Sequence, residues 1–166
     1  MNGDRCGISF FPLHLFQQKT NPMQTELYVH YLKELNWLAV AASALAYFFL
    51  GAVWYSPVLF SKTWVRLSGV KMNEDSRKKL PMMMLGSVLI SLVMALTLAL
   101  LLLGTQSIGH PVRGVMLGGL VSVGIAFTAM ALNNMYESRP LGLLLINWGY
   151  NFAGSLLICL ILSAWK

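Results

Sequence analysis

The chain reads as an all-α protein, a transmembrane four-helix antiparallel bundle with a short interfacial helix after the first span. Three observations predict this. Apolar residues make up 57% of the 166 positions and charged ones only 11%, whereas soluble domains hold roughly a half and a quarter. The apolar residues gather into four stretches, each long enough to cross a hydrocarbon core about 30 Å thick at about 1.5 Å per helical residue. Short turns join the later stretches, and short connections make neighbouring helices antiparallel.

The first thirty residues differ from the rest. Ile8 to Phe16 is apolar but broken by Pro12 and His14, too short and wrongly flanked for a signal peptide. Residues 1–30 are expected to form a flexible leader, of which Met1 to Pro22 is the most irregular part, and residues 31–166 the membrane domain. Met23 opens Met-Gln-Thr-Glu-Leu shortly before the first span and is an alternative initiator.

Span one covers about 36–55, with Trp37 at one end and Trp54 and Tyr55 at the other, where amphipathic rings favour the headgroup level. Pro57 stops it. From Val58 to Leu67, Phe60, Trp64 and Leu67 recur at helical spacing with Lys62 and Arg66 off that stripe, the pattern of a helix lying along the membrane surface. Asn73 to Lys79 is the most charged stretch. Span two follows at about 82–103, with Pro81 near its first turn. Span three covers about 112–132, and span four about 141–165 after a turn at Tyr136 to Pro140.

Cytoplasmic loops of membrane proteins carry excess Lys and Arg. The first and third loops hold Lys62, Arg66, Lys71, Arg77, Lys78, Lys79 and Arg139, against Arg5, Lys19, Lys33, Arg113 and Lys166 on the other side. The chain is therefore expected in the cell membrane as a multi-pass protein, with both termini outside and the loop 57–80 in the cytoplasm. Arg77, Lys78 and Lys79 should contact anionic headgroups, at about 1 kcal/mol each when close to the surface. The net charge of +6 is explained by orientation rather than by nucleic acid, since no basic face is interleaved with aromatic residues.

Inside lipid the hydrophobic effect cannot draw helices together, so small residues that permit close approach become the expected seams. Span three offers Gly114, Gly118 and Ser122, span two Ser87, Ser91, Ala95 and Ala99, and span one Ala39, Ser43, Tyr47 and Gly51, all at four-residue spacing. Polar groups within spans need partners. In span four, Asn147, Tyr150, Asn151 and Gly154 share an arc of about 100°. Asn133 precedes Pro140 by as many residues as Asn147 follows it, so an antiparallel hairpin should set the two asparagines at one depth, in a shared hydrogen-bonded layer. Asn133, Asn134, Glu137, Arg139, Asn147, Tyr150 and Asn151 are the candidate polar layer or pocket. Its plainer role is glue between helices, at about 0.6 to 2 kcal/mol for each pair.

Cys6 and Cys159 form no C-x-x-C pattern, and His14, His30 and His110 have no metal-ligand spacing, so neither a disulfide framework nor a metal site is implied. No nucleophile motif is present. Catalytic, metal and cofactor sites are accordingly not expected.

A further set of residues has a family likeness: Asn36-Trp37; Gly51-x-x-Trp54-Tyr55-x-Pro57-x-x-Phe60-x-x-x-Trp64; Asn133-Asn134 with Glu137-x-Arg139-Pro140; and Asn147-x-Gly149-Tyr150. In these the segment after the leader resembles the membrane proteins grouped as domain of unknown function 1761. The resemblance implies four membrane helices and brings no reaction, substrate or cofactor with it.

Three functions compete. A noncatalytic bundle would associate with itself as a homo-oligomer or with a larger complex, the lipid bilayer being its one certain partner, and its asparagines would be dry and packed. A small homodimeric transporter or channel for a small solute would use Asn133, Asn147 and Asn151 as a wet layer, although spans one, two and four contain no Asp or Glu for proton coupling. An enzyme acting on lipid through Glu137 would lack a second catalytic group. The first is the expectation.

Overall fold

The computed structural model describes residues 26, 30, 32–70 and 74–165, with side chains described throughout except at 74–77. The expected leader, Met1 to Pro22, and Lys71 therefore lie outside the described residues. The chain divides into Met1–Glu34 and Leu35–Lys166. In the first unit the described positions are helical, and His30 Nε2 lies 3.1 Å from a carboxylate oxygen of Glu34, one turn away.

The second unit is helical, with no strand among the described residues. Its helices are α1, Trp37–Trp54; α2, Ser61–Ser68; α3, Glu74–Gly104; α4, Pro111–Val121; α5, Thr128–Tyr136; and α6, Leu141–Ala164, with one π-helical stretch, Ser122–Phe127, joining α4 to α5. Four helical stretches are long and apolar enough to cross a membrane: Trp37–Trp54, Lys78–Gly104, Pro111–Tyr136 and Leu141–Ala164. This is a multi-pass membrane protein.

Local chemistry sets most of the helix ends. Asn36 caps α1, its side-chain oxygen accepting from the Ala39 N–H at 3.1 Å, one of the donors a helix start leaves unpaired. Gly69, at φ 69°, closes α2 in the left-handed conformation that glycine enters without a Cβ clash. Pro111 begins α4, where its missing N–H costs no helical bond.

Three elements depart from expectation. The short helix begins at Ser61 rather than Val58, because turns occupy 55–60. The charged stretch is not a loop: α3 begins at Glu74 and runs through Arg77, Lys78 and Lys79, with Pro81 inside it. Glu, Arg and Lys are good helix formers, so charge does not mark the boundary, and Pro81 withholds only the one N–H that would have reached the Arg77 carbonyl. Span three contains the π-helical stretch, a widened turn with no recognisable sequence signature.

α6 is the central helix. It packs against α1, α3 and α4, and also against α2 and α5. Leu98, Leu102, Ile158, Val40 and Cys159 are the largest fully buried apolar side chains. The expected seam of span three is used here: Gly114 and Gly118 are buried, and a Cβ on Gly118 would come within 2.8 Å of the Ser155 carbonyl oxygen and 3.0 Å of Cys159 Sγ. Its counterpart on α6, Ser155, Cys159 and Ser163 at the same four-residue spacing, is also buried and went unread in the sequence. Along span two, Ser91, Ala95 and Ala99 are buried, but Ser87 is exposed. The buried part of the seam starts one turn later than expected, at Ser91.

One end of the bundle is tied to α6, and the other is clamped in the turn that leads into it. At one end Gly109, at φ 80°, donates its N–H to the Ser163 carbonyl at 2.9 Å. At the other, the Asn134 side chain donates to the Arg139 carbonyl at 2.9 Å, and the Arg139 N–H donates to the Asn134 carbonyl at 3.1 Å. That clamp holds the hairpin into α6 with Ser138 at φ 51°.

Candidate functional site

The polar residues of α6 meet the aromatic residues of α1 and α2. Asn147 Oδ1 accepts from the Tyr55 hydroxyl and from Trp64 Nε1, both at 3.1 Å. An indole nitrogen only donates, so the atom facing Trp64 must be the amide oxygen. One turn on, Asn151 Oδ1 accepts from the Tyr47 hydroxyl at 3.1 Å, while its NH2 donates to the Asn147 carbonyl at 3.0 Å and approaches Met130 Sδ at 4.0 Å. Trp54 Nε1 donates to the Ile146 carbonyl at 3.1 Å.

The rings also pack on one another. Tyr47 and Tyr150 stack with centroids 4.7 Å apart, and Tyr55 meets Tyr150 and Trp64 edge to face. Gly154 makes this possible. A Cβ there would overlap the Tyr47 ring, so glycine is what lets the ring lie against α6. On the opposite flank of α6, Trp148 Nε1 donates to the Ser122 carbonyl at 3.2 Å, at the start of the π-helical stretch. The Ser122 hydroxyl is fully buried and has no hydrogen-bond partner among the described residues.

Of the candidate polar residues, Asn133, Asn134, Glu137, Arg139 and Asn147 line one cavity of about 160 Å³, with Met130, Leu143 and Leu144. Tyr150 and Asn151 lie outside that lining, engaged with α1. Asn133 and Asn147, expected in one hydrogen-bonded layer, line the same cavity but are not bonded to each other: the Asn147 oxygen accepts from Tyr55 and Trp64, and Asn133 is exposed. Its neighbour Asn134 is the buried residue of the pair. One position along a helix turns a side chain by about 100°, enough to exchange their roles. Glu137 and Arg139 pair at 2.5 Å with both side chains about half exposed, as a solvated turn pair does.

Tyr47, Tyr55 and Trp64 had no place in the candidate layer. In the sequence Tyr47 belongs to a packing stripe, Tyr55 to a headgroup-level pair and Trp64 to an interfacial stripe, and only the fold shows that their polar ends converge on α6. Asn147 also lines a second cavity, of about 360 Å³, with Tyr55, Ser61, Trp64 and Val65. Among the described residues no group of three or more His, Cys, Asp or Glu is placed to hold a metal ion.

A four-helix membrane bundle whose chain carries these aromatic and asparagine positions can be compared with known proteins. Residues 38–163 match the family described as "Protein of unknown function (DUF1761)". The chain belongs to this family. The match takes in all four membrane-spanning helices of this DUF1761 protein nearly end to end. No curated protein and no solved structure matches it.

Proposed function

We propose that this DUF1761 protein is a noncatalytic membrane bundle that acts by associating with itself or with a larger membrane complex, and that its polar layer is structural. The observation that carries this is that both amide oxygens of α6, and the Asn151 NH2, are paired within the chain. The Asn147 oxygen accepts two bonds, the Asn151 oxygen accepts one, and the Asn151 NH2 is engaged by the Asn147 carbonyl. Oxygens already paired with phenols and an indole have little left with which to replace the hydration shell of a passing cation or hydrogen-bond donor. The small residues of α4 and α6 are used within the chain, so association falls to the lipid-facing perimeter rather than to the Gly114 and Gly118 stripe.

The test is solvent access at Asn151. In a protein with Cys6 and Cys159 replaced by alanine, Asn151→Cys is expected to resist a water-soluble thiol reagent in both right-side-out and inside-out vesicles, while Ile108→Cys reacts. Only a hydrated thiol ionises and reacts readily. Labelling at position 151 from either side would establish a water-filled path and replace this reading with a transporter for a small solute.

A further inference from the structure

The cavity of about 360 Å³ between α2 and α6 falls in the size range of ligand pockets, roughly 300 to 1,000 Å³. Its wall is largely apolar: the rings of Tyr55 and Trp64 and the side chain of Val65. Two polar groups interrupt it. Among the described residues the Ser61 hydroxyl has no hydrogen-bond partner, and Asn147 uses its oxygen for Tyr55 and Trp64 while its NH2 has none. Because both donors hold that oxygen, the amide cannot turn over, and its NH2 stays fixed as a donor.

The occupant that suits such a wall is an apolar molecule with a hydrogen-bond-accepting carbonyl near one end. Charge narrows the choice. Lys62 follows Ser61, and Arg66 follows Val65, so two cations one helical turn apart sit next to two of the three α2 residues that line the cavity. Both are exposed, and neither is paired with a carboxylate among the described residues. Asn147 lies six residues into α6, about 9 Å from its start at about 1.5 Å per residue. The headgroup layer on each side of the hydrocarbon core is about 5 to 8 Å thick, so a helix entering at its outer edge brings this residue to the boundary between headgroup and acyl chain. We propose that this cavity binds one anionic phospholipid, its phosphate near Lys62 and Arg66, an ester carbonyl on the Asn147 NH2 and Ser61 hydroxyl, and the upper acyl chain against Tyr55, Trp64 and Val65. The assignment does not depend on whether Asn151 is dry, and the two tests read different residues.

Delipidated protein would be incubated with phosphatidylglycerol or with phosphatidylcholine of the same chains, and retained lipid counted by native mass spectrometry. One phosphatidylglycerol per chain is expected, in clear preference to phosphatidylcholine. Replacing Lys62 and Arg66 together with glutamine should weaken the anionic lipid about thirtyfold, each cation near an anionic surface contributing about a fivefold factor. Val65→Trp should abolish retention by filling the cavity. Ser61→Ala, which leaves the packing unchanged, should weaken both lipids alike. Equal retention of the two lipids by the unaltered protein would overturn the proposal, as would phosphatidylglycerol retention undiminished in both Val65→Trp and Ser61→Ala, which would assign the preference to diffuse surface charge.

Discussion

Asn151 and Ser122 illustrate opposite outcomes for a polar atom in the interior. The Tyr47 hydroxyl bonds Asn151 across the α1–α6 interface, so Asn151→Leu strands a donor. A full desolvation penalty would be about 1 to 3 kcal/mol, but couplings between membrane helices average about 0.6 and reach about 1.7 kcal/mol, because a helix separated within the bilayer finds other partners. The smaller figure should win. A double-mutant cycle with Tyr47→Phe, followed by thermal unfolding in detergent, is expected to give a coupling of about 0.6 to 1.7 kcal/mol; a coupling of zero would remove the bond from the account. Ser122 is the reverse, since its buried hydroxyl has no partner among the described residues. Ser122→Ala removes an unsatisfied group while keeping the methyl-sized volume, so stability should hold or rise by up to about 1 kcal/mol. A marked loss in the same assay would mean that the hydroxyl is engaged after all. The identity of both residues as interior polar groups was legible from their positions in apolar stretches. Which of them would be satisfied was not, because a partner about a hundred positions away leaves no local trace.

Helix packing separates two adjacent glycines. A Cβ on Gly118 would press on the Ser155 carbonyl and on Cys159, whereas on Gly119 its nearest neighbour would be a Leu156 methyl at an ordinary 3.7 Å. Gly118→Ala must therefore push α4 away from α6, and overpacking of this kind costs about 1 to 3 kcal/mol. Gly119→Ala gains helix propensity instead, up to about 1 kcal/mol. The unfolding midpoints of the two variants should move in opposite directions, and parallel shifts would contradict the packing described here. At this scale the sequence is half legible. The four-residue stripe of span three can be read directly, since small residues at that interval share a face, but periodicity says only that a face exists and not what covers it. The same limit applies to α2. The Phe60, Trp64 and Leu67 stripe is equally compatible with lipid or with protein, and in the fold Phe60 tilts onto Trp54, Trp64 reaches Asn147 and Leu67 lies beside Gly142. The π-helical stretch and the early start of α3 were hidden for a related reason: both continue a helix through residues whose propensities do not mark the change.

Taken as one molecule, the bundle separates charge between its two ends. The hairpin from α1 through α2 into α3 and the turn from α5 to α6 lie at one end, which carries Lys62, Arg66, Arg77, Lys78, Lys79 and Arg139; at the other, among the described residues of the membrane unit, Arg113 is the basic side chain. Lys and Arg near span ends orient a membrane protein, whereas acidic residues contribute little, so Glu137 beside Arg139 does not cancel the bias. The basic end should therefore face the cytoplasm. Val70→Cys, in the exposed connection after α2, is expected to react with a membrane-impermeant thiol reagent only in inside-out vesicles, and Ile108→Cys, in the turn between α3 and α4, only in right-side-out vesicles. The reversed pattern would place the basic end outside, and labelling of both sites from both sides would mean that the chain inserts in two orientations. The asymmetry also permits a stronger test. If charge sets the orientation, replacing Lys62, Arg66, Lys78 and Lys79 with glutamine leaves Lys71, Arg77 and Arg139 on one side against Lys33, Arg113 and Lys166 near the span ends on the other, and a mixture of the two orientations should appear in the same assay. An unmixed orientation in that variant would mean that the order in which the spans enter the membrane, and not the Lys and Arg bias, fixes the topology.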